Sequence, residues 1–71
     1  MTKNELLVAL AEIMDIEQIN EGMVLNDIDE WDSLAFVSII VFYKKNLGIE
    51  ISGEDLKDCK TVADLLILSK I

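Results

Sequence analysis

Few residues of this chain carry groups that could do chemistry, and Ser33 is the most informative of them. The sequence has no histidine and a single cysteine, Cys59, which we expect to be structural. A serine or cysteine nucleophile therefore lacks its commonest general base, and the usual zinc ligand set is missing. The three glycines form neither a phosphate-binding loop nor a dinucleotide-binding fingerprint. We therefore expect no catalytic residue, no metal site and no enzyme.

The acidic stretch "DIDEWD", residues 27–32, has a spacing that does not fit a calcium loop. When an EF-hand loop is started at Asp27, Trp31 falls on a ligand position and Asp32 falls on the glycine position. Paired carboxylates can also do acid–base work. A chain of 71 residues, however, has little room for a substrate cleft. A solvated acidic loop is the favoured interpretation.

Ser33 stands where a helix is predicted to begin, which gives its hydroxyl two possible roles. The simpler role is that Ser33 or Asp32 caps the helix. A hydroxyl at a helix start also points into solvent beside backbone N–H groups that lack a helical partner. A phosphodiester attached there would lie at the positive end of the helix dipole. Ser33 is therefore a suitable place for a phosphate-linked group.

Capping residues and hydrophobic periodicity predict the first and last helices. Thr2 and Glu5 form a capping box before a helix over residues 3–14. Thr61 is predicted to cap a final helix, and a short third helix is expected within residues 53–58. The final helix has a recurring face: Val62, Leu65, Leu66 and Ser69.

The second helix is predicted to run from Ser33 to about Leu47 and to end at Gly48. Its residues 34–43 are apolar apart from Ser38. A helix of a small domain normally has one apolar face and one polar face. This helix is therefore either buried on most sides or partly exposed for a partner.

The predicted fold is an all-α, small four-helix bundle with three main helices and one short helix. The long loop between helices one and two, residues 15–32, has no sustained hydrophobic periodicity. It nevertheless contains apolar residues that must be shielded from water. We expect it to lie across the helices, with room for one short helical turn. Residues 1–71 are expected to form a single domain.

The net charge of −8 is placed unevenly. Residues 1–43 hold nine acids and one lysine, whereas residues 44–71 hold five acids and five lysines. The resulting negative electrostatic field repels nucleic acid and anionic membranes and favours basic partners. The alternative explanation is that the acidic residues only keep an apolar chain soluble. No segment approaches the ~20 apolar residues of a membrane span, and no signal-peptide pattern is present. We expect a monomeric, cytoplasmic protein that binds neither nucleic acid nor membranes.

The stretch "DIDEWDSLAFVSII" resembles the phosphopantetheine attachment region of acyl carrier and peptidyl carrier proteins. The family motif is Asp-Ser-Leu at the start of the second helix of a small acidic four-helix domain, here Asp32, Ser33 and Leu34. Trp31 before the motif is similar to stand-alone carriers. "IEISGEDL" and "TVADLL" resemble the family's third-helix link and last helix, so the resemblance covers nearly the whole chain.

The resemblance implies that Ser33 carries 4′-phosphopantetheine, whose thiol holds acyl or aminoacyl groups as thioesters. Asp32 would position the modifying enzyme and the prosthetic group, and Leu34 would belong to the docking surface. The implied partners are a phosphopantetheinyl transferase and the enzymes that load and transfer the acyl or aminoacyl cargo.

Helix two departs from the carriers of general fatty-acid synthesis. Those proteins usually place acids two and five residues after the serine and again near the helix end. Here these positions are Ala35, Ser38, Lys44 and Lys45. We interpret this difference as a sign that the protein serves a specialised pathway, such as polyketide synthesis, nonribosomal peptide synthesis or another dedicated acyl or aminoacyl transfer. General fatty-acid synthesis is the alternative.

A docking patch is predicted at Trp31 and on helix two. The residues expected to pack against the other helices are Leu34, Val37, Ile40, Val41 and Tyr43, or their near neighbours. Ala35, Phe36 and Ile39 would then be exposed for a partner, unless the loop covers them as ordinary core. A further alternative is a small acidic interaction module without a prosthetic group, in which Ser33 is only a cap.

Overall fold

The computed structural model describes all 71 residues, and it contains helices but no strands. The helices are α1 (Lys3–Met14), α2 (Ser33–Phe42, continued by a π-helical turn, Tyr43–Leu47), α3 (Gly53–Lys57) and α4 (Val62–Ser69). A 3₁₀ turn, Leu25–Asp27, lies in the connection between α1 and α2. The predicted all-α fold with one short helix is confirmed. No helix has the length and apolar content needed to cross a membrane.

Reciprocal hydrogen bonds explain where α1 and α3 begin. The Thr2 hydroxyl accepts from the Glu5 N–H at 3.2 Å, and the Glu5 carboxylate accepts from the Thr2 N–H at 2.9 Å. Ser52 and Asp55 repeat this arrangement before α3, at 3.1 and 2.9 Å. Each pair satisfies two N–H groups that a helix start leaves without partners. The predicted capping box of the first helix is therefore confirmed.

The end of α2 is fixed by Gly48, as the sequence predicts. Gly48 adopts a left-handed conformation with φ of 67°, which a residue with a side chain rarely adopts. Its N–H donates to the Tyr43 carbonyl, and the Ile49 N–H donates to the same carbonyl at 3.2 Å. The predicted helix end is correct, whereas the widened π turn that precedes it was not predicted.

The connection between α1 and α2 is held against the start of α4. Three backbone hydrogen bonds join the two segments: Leu25 N–H to Lys60 O at 2.8 Å, Val62 N–H to Met23 O at 3.0 Å and Ala63 N–H to Glu21 O at 3.0 Å. Leu25 and Ile28 of this connection are buried in the core. The prediction of a loop held by its apolar residues, with one short helical turn, is confirmed.

Tyr43 is the largest fully buried side chain of the core. Its hydroxyl donates to the Leu65 carbonyl of α4 at 2.6 Å, and burial raises the pKa of this phenol. No buried side-chain nitrogen or oxygen lacks a hydrogen-bond partner. The core contains these residues: Leu6, Leu10, Met14, Leu25, Ile28, Ala35, Ile39, Tyr43, Leu56, Cys59, Val62, Leu65 and Leu66. The predicted inner face of the last helix is confirmed, because Ser69 is buried as well.

The start of α4 depends on the ionised form of Asp64. Thr61 occupies the N-cap position, and the Asp64 carboxylate accepts from the N–H groups of Lys60 at 2.8 Å and Thr61 at 3.1 Å. These two bonds lower the pKa of Asp64 below its ordinary value, because they favour the charged form.

Asp64→Asn is expected to reduce the loss of stability on acidification. A carboxyl whose pKa is lower in the folded than in the unfolded chain stabilises the fold above its unfolded pKa. That stabilisation is lost as the pH falls through the folded pKa. Thermal unfolding of both proteins from neutral pH to below the ordinary aspartate range of about 3.9 measures the effect. Parallel curves for parent and variant would contradict this role.

Candidate functional site

Ser33 is the first residue of α2, and its side chain is exposed. The residue before it, Asp32, is the N-cap. The Asp32 carboxylate accepts from the Ala35 N–H at 3.1 Å, and the Asp32 carbonyl accepts from the Phe36 N–H at 3.0 Å. The sequence is compatible with either Asp32 or Ser33 as the N-cap. In the structure, the N-cap is Asp32. The Ser33 hydroxyl makes no hydrogen bond within the chain and is free to react.

The surroundings of Ser33 combine a positive helix end with a negative loop. The N–H groups of Ser33 and Leu34 donate to no backbone carbonyl, because they precede the first bond within the helix. They therefore remain available to an anion attached nearby. Asp29, Glu30 and Asp32 are exposed just before the helix. The site can hold a phosphodiester while its rim attracts a basic partner.

An aromatic pair supports the chain on both sides of Ser33. The rings of Trp31 and Phe36 meet edge to face, with 4.7 Å between their centroids and 61° between their planes. Both side chains are half-buried and pack against the core. Such a pair adds about 0.5–1.5 kcal/mol beyond the burial of its area. It therefore helps to fix the turn that presents Ser33, while part of each ring remains accessible.

The exposed apolar face of α2 differs from the predicted one. Leu34, Val37 and Val41 are 78%, 61% and 45% exposed, whereas Ala35 and Ile39 are 5% and 0% exposed. The expectation that Ala35 and Ile39 are exposed is therefore wrong, and so is the expectation that Leu34, Val37 and Val41 pack inward. We call these three exposed residues the α2 stripe.

The position of Tyr43 explains the error in the facing of α2. Residues four apart lie on the same side of a helix. Because Tyr43 is buried, Ile39 and Ala35, four and eight residues earlier, turn inward with it. The α2 stripe then faces the solvent. The spacing alone does not locate the buried face in the sequence, because residues 34–43 are apolar apart from Ser38.

Cys59 lies in the core, at 6% exposure. Its thiol donates to the Asp55 carbonyl at 3.3 Å. Burial raises the pKa of this thiol to about 11, and the nearby carboxylates of Asp64, Asp55 and Asp58 add to the effect. Since the thiolate is the reactive form, the environment of Cys59 is that of an unreactive cysteine.

Cys59 is expected to react with a thiol reagent at least about a hundredfold more slowly than an unhindered cysteine at pH 8, because its thiolate fraction is lower by about that factor. Cys59→Ser is expected to keep the fold and the capacity for modification. The time course of thiol labelling of the unmodified chain, followed by mass, tests the first point. Rapid labelling, or a folded Cys59→Ser protein that gains no prosthetic group, would show a role for this thiol.

Comparison with known proteins places the chain in a family. The family described as "Phosphopantetheine attachment site" matches residues 4–68. An "Acyl carrier protein" of Thermobifida fusca (strain YX) is 38% identical over 72 residues, which cover 92% of this chain and 90% of that protein. No solved structure matches the chain at a significant level. The chain therefore belongs to the phosphopantetheine-binding acyl carrier protein family.

Membership of this family confirms the resemblance and its cofactor. An acyl carrier protein bears a covalently attached 4′-phosphopantetheine group and interacts with a phosphopantetheinyl transferase and with acyl-handling enzymes. The start of α2 fits such a group, because it combines an exposed hydroxyl with two unpaired N–H groups. When bound, the group supplies a terminal thiol for thioester formation.

Proposed function

We propose that Ser33 is the residue that carries the phosphopantetheine arm, and that residues 1–71 act as one carrier domain. The observation that supports this assignment is an exposed Ser33 hydroxyl without a hydrogen bond, at the first position of a helix capped by its neighbour. The Ser33 oxygen would form the phosphodiester bond with the phosphopantetheinyl group of coenzyme A. The pyrophosphate bond of coenzyme A would break, adenosine 3′,5′-bisphosphate would leave, and the hydroxyl would lose its proton.

Asp32 has a positioning role in this proposal. Its carboxylate is held by the Ala35 N–H, so the backbone of the first turn is fixed and Ser33 projects outward. The neighbouring Leu34 is exposed beside the attachment point and would meet any enzyme that approaches the arm. In this proposal Asp32 caps the helix, Ser33 is the attachment point, and Leu34 contacts the partner enzyme.

The pathway that this carrier serves is proposed to be a specialised one. The sequence of α2 and its π turn, "SLAFVSIIVFYKKNL", contains no acid. The exposed residues of α2 are Ser33, Ser38 and the α2 stripe, and Lys44 and Lys45 are exposed beyond them. A partner that binds this surface must therefore offer apolar contact more than a set of cations. Polyketide, nonribosomal peptide and other dedicated acyl or aminoacyl transfers are the pathways proposed.

The attachment is tested by incubating the chain with coenzyme A and a phosphopantetheinyl transferase and measuring the intact mass. A mass increase of one phosphopantetheine, located at Ser33 by fragmentation, is the expected result. A folded chain that gains no group with transferases of broad specificity would favour the small interaction module instead. The pathway is tested by the transfer rates of the loaded carrier.

A further inference from the structure

The outer surface of α1 has two open grooves, one on each side of Val8. The first groove has a volume of about 590 Å³ and lies between α1 and residues 16–20. The second, of about 440 Å³, lies between α1 and Phe42. Asn4, Val8 and Glu12 line both grooves, so Val8 forms a ridge between them. Val8 itself is 58% exposed, although it lies in the middle of a packed helix.

The two grooves share one chemistry, an apolar floor with a negative rim. Leu7, Ile16 and Ile19 line the first groove, and Ala9 and Phe42 line the second. The charged side chains that line them are carboxylates only: Glu5, Glu12 and Glu17. The nearest lysine in sequence, Lys3, is paired with Glu21 at 3.4 Å. No lysine or arginine lines the grooves, and the positive group there is the amino group of Met1, which lies at the second groove near Glu5.

We propose that this surface of α1 binds a cationic amphipathic helix of a partner protein. Helices pack when the side-chain rows of one enter the grooves of the other, and two grooves beside a ridge provide that shape. Apolar side chains of the partner would fill the grooves on both sides of Val8. Lysine or arginine side chains on its flanks would reach Glu12 and Glu17.

A helix of opposite charge suits this surface better than a second copy of the chain. Each copy carries a net charge of −8, so two copies repel one another. The acidic rim would instead speed the approach of a basic partner and make binding sensitive to salt. None of the residues lining the grooves belongs to the α2 stripe or to the segment around Ser33. The surface is therefore separate from the proposed attachment site.

The probe for this proposal is a short synthetic helix with leucines at i, i+3 and i+4 spacing and lysines elsewhere. A scrambled peptide of the same composition is the control for non-specific charge attraction. The isotope-labelled full chain is titrated with each, and the amide signals report the location of binding. We expect saturable changes concentrated in α1 and residues 16–20, with the scrambled peptide binding at least about tenfold more weakly, a difference of about 1.4 kcal/mol.

Two variants give the matched comparison. Val8→Gln replaces the apolar ridge with a neutral polar side chain and is expected to weaken peptide binding at least about tenfold, whereas Ile67→Gln on α4 is expected to change it less than about twofold. Both positions are exposed, so both variants are expected to fold, which circular dichroism checks. Ser33→Ala is expected to bind like the parent, so this proposal and the attachment at Ser33 fail or succeed separately.

Several results would overturn the proposal. They are signal changes centred on the α2 stripe or on residues 27–32, equal affinity for the scrambled peptide, or unchanged affinity of Val8→Gln. Concentration-dependent changes in α1 without any peptide would show that a second copy occupies the surface.

Discussion

Ser33→Ala is expected to lose all capacity to gain phosphopantetheine while keeping the four helices. The variant removes the only oxygen through which the group would be bound. The cost in stability is expected to stay within about 0.5 kcal/mol, because the side chain is exposed and makes no hydrogen bond. The cap is Asp32, so Asp32→Ala is expected to cost more, about 0.5–2 kcal/mol.

The measurement is the intact mass after incubation with a phosphopantetheinyl transferase and coenzyme A. Ser38→Ala is a matched control, because Ser38 is an exposed serine of the same helix. It is expected to be modified like the parent. A phosphopantetheine found on Ser33→Ala would show that the arm is attached elsewhere, and a loss of helix content would show that Ser33 also supports the fold.

Local signals in the sequence were sufficient to predict the helices. A capping box such as Thr2 with Glu5 joins residues three apart, and the left-handed Gly48 acts on the turn just before it. The phosphopantetheine family could also be predicted, because the stretches around Ser33, around Ser52 and after Thr61 resemble those of carrier proteins. Each of these features depends on neighbours along the chain.

The facing of α2 could not be predicted in the same way. Nearly every residue of this helix is apolar, so periodicity does not distinguish its inner face from its outer face. The facing is instead fixed by long-range packing, including the bond from the Tyr43 hydroxyl to Leu65, 22 residues away. The grooves beside Val8 could not be predicted for a related reason. Residues 16–20 form one wall of the first groove only when the loop folds back on α1.

The corrected facing also changes which variants can test docking. Ile39 is fully buried, so Ile39→Ser is a large-to-small change that would chiefly destabilise the core, by about 2–5 kcal/mol. Ala35→Asp would place a carboxylate at a position with 5% exposure, at a similar risk to the fold. Val37 and Val41, which are exposed, are the informative positions.

Val37→Glu and Val41→Glu are expected to slow transfer of the thioester-linked cargo to a cognate enzyme by at least about tenfold, or 1.4 kcal/mol in the transition state. A few apolar residues at the centre of a docking surface commonly supply most of its binding energy, and a charge placed there must be desolvated. Removing one loop acid, as in Asp29→Asn, is expected to have a smaller effect that disappears as salt is raised. Transfer rates at low and moderate salt, measured after checking fold and loading, make the comparison.

The same surface is expected to decide which pathway accepts the carrier. Enzymes of general fatty-acid synthesis should use the native protein poorly, because the exposed face of α2 offers them no carboxylate. Ser38→Glu combined with Lys45→Glu should improve their rates, since both positions are exposed and both changes add negative charge. The cognate enzyme should lose rate with the same double variant. If general fatty-acid enzymes already use the native carrier well, or if the α2 stripe variants transfer normally, the proposed specialised pathway is wrong.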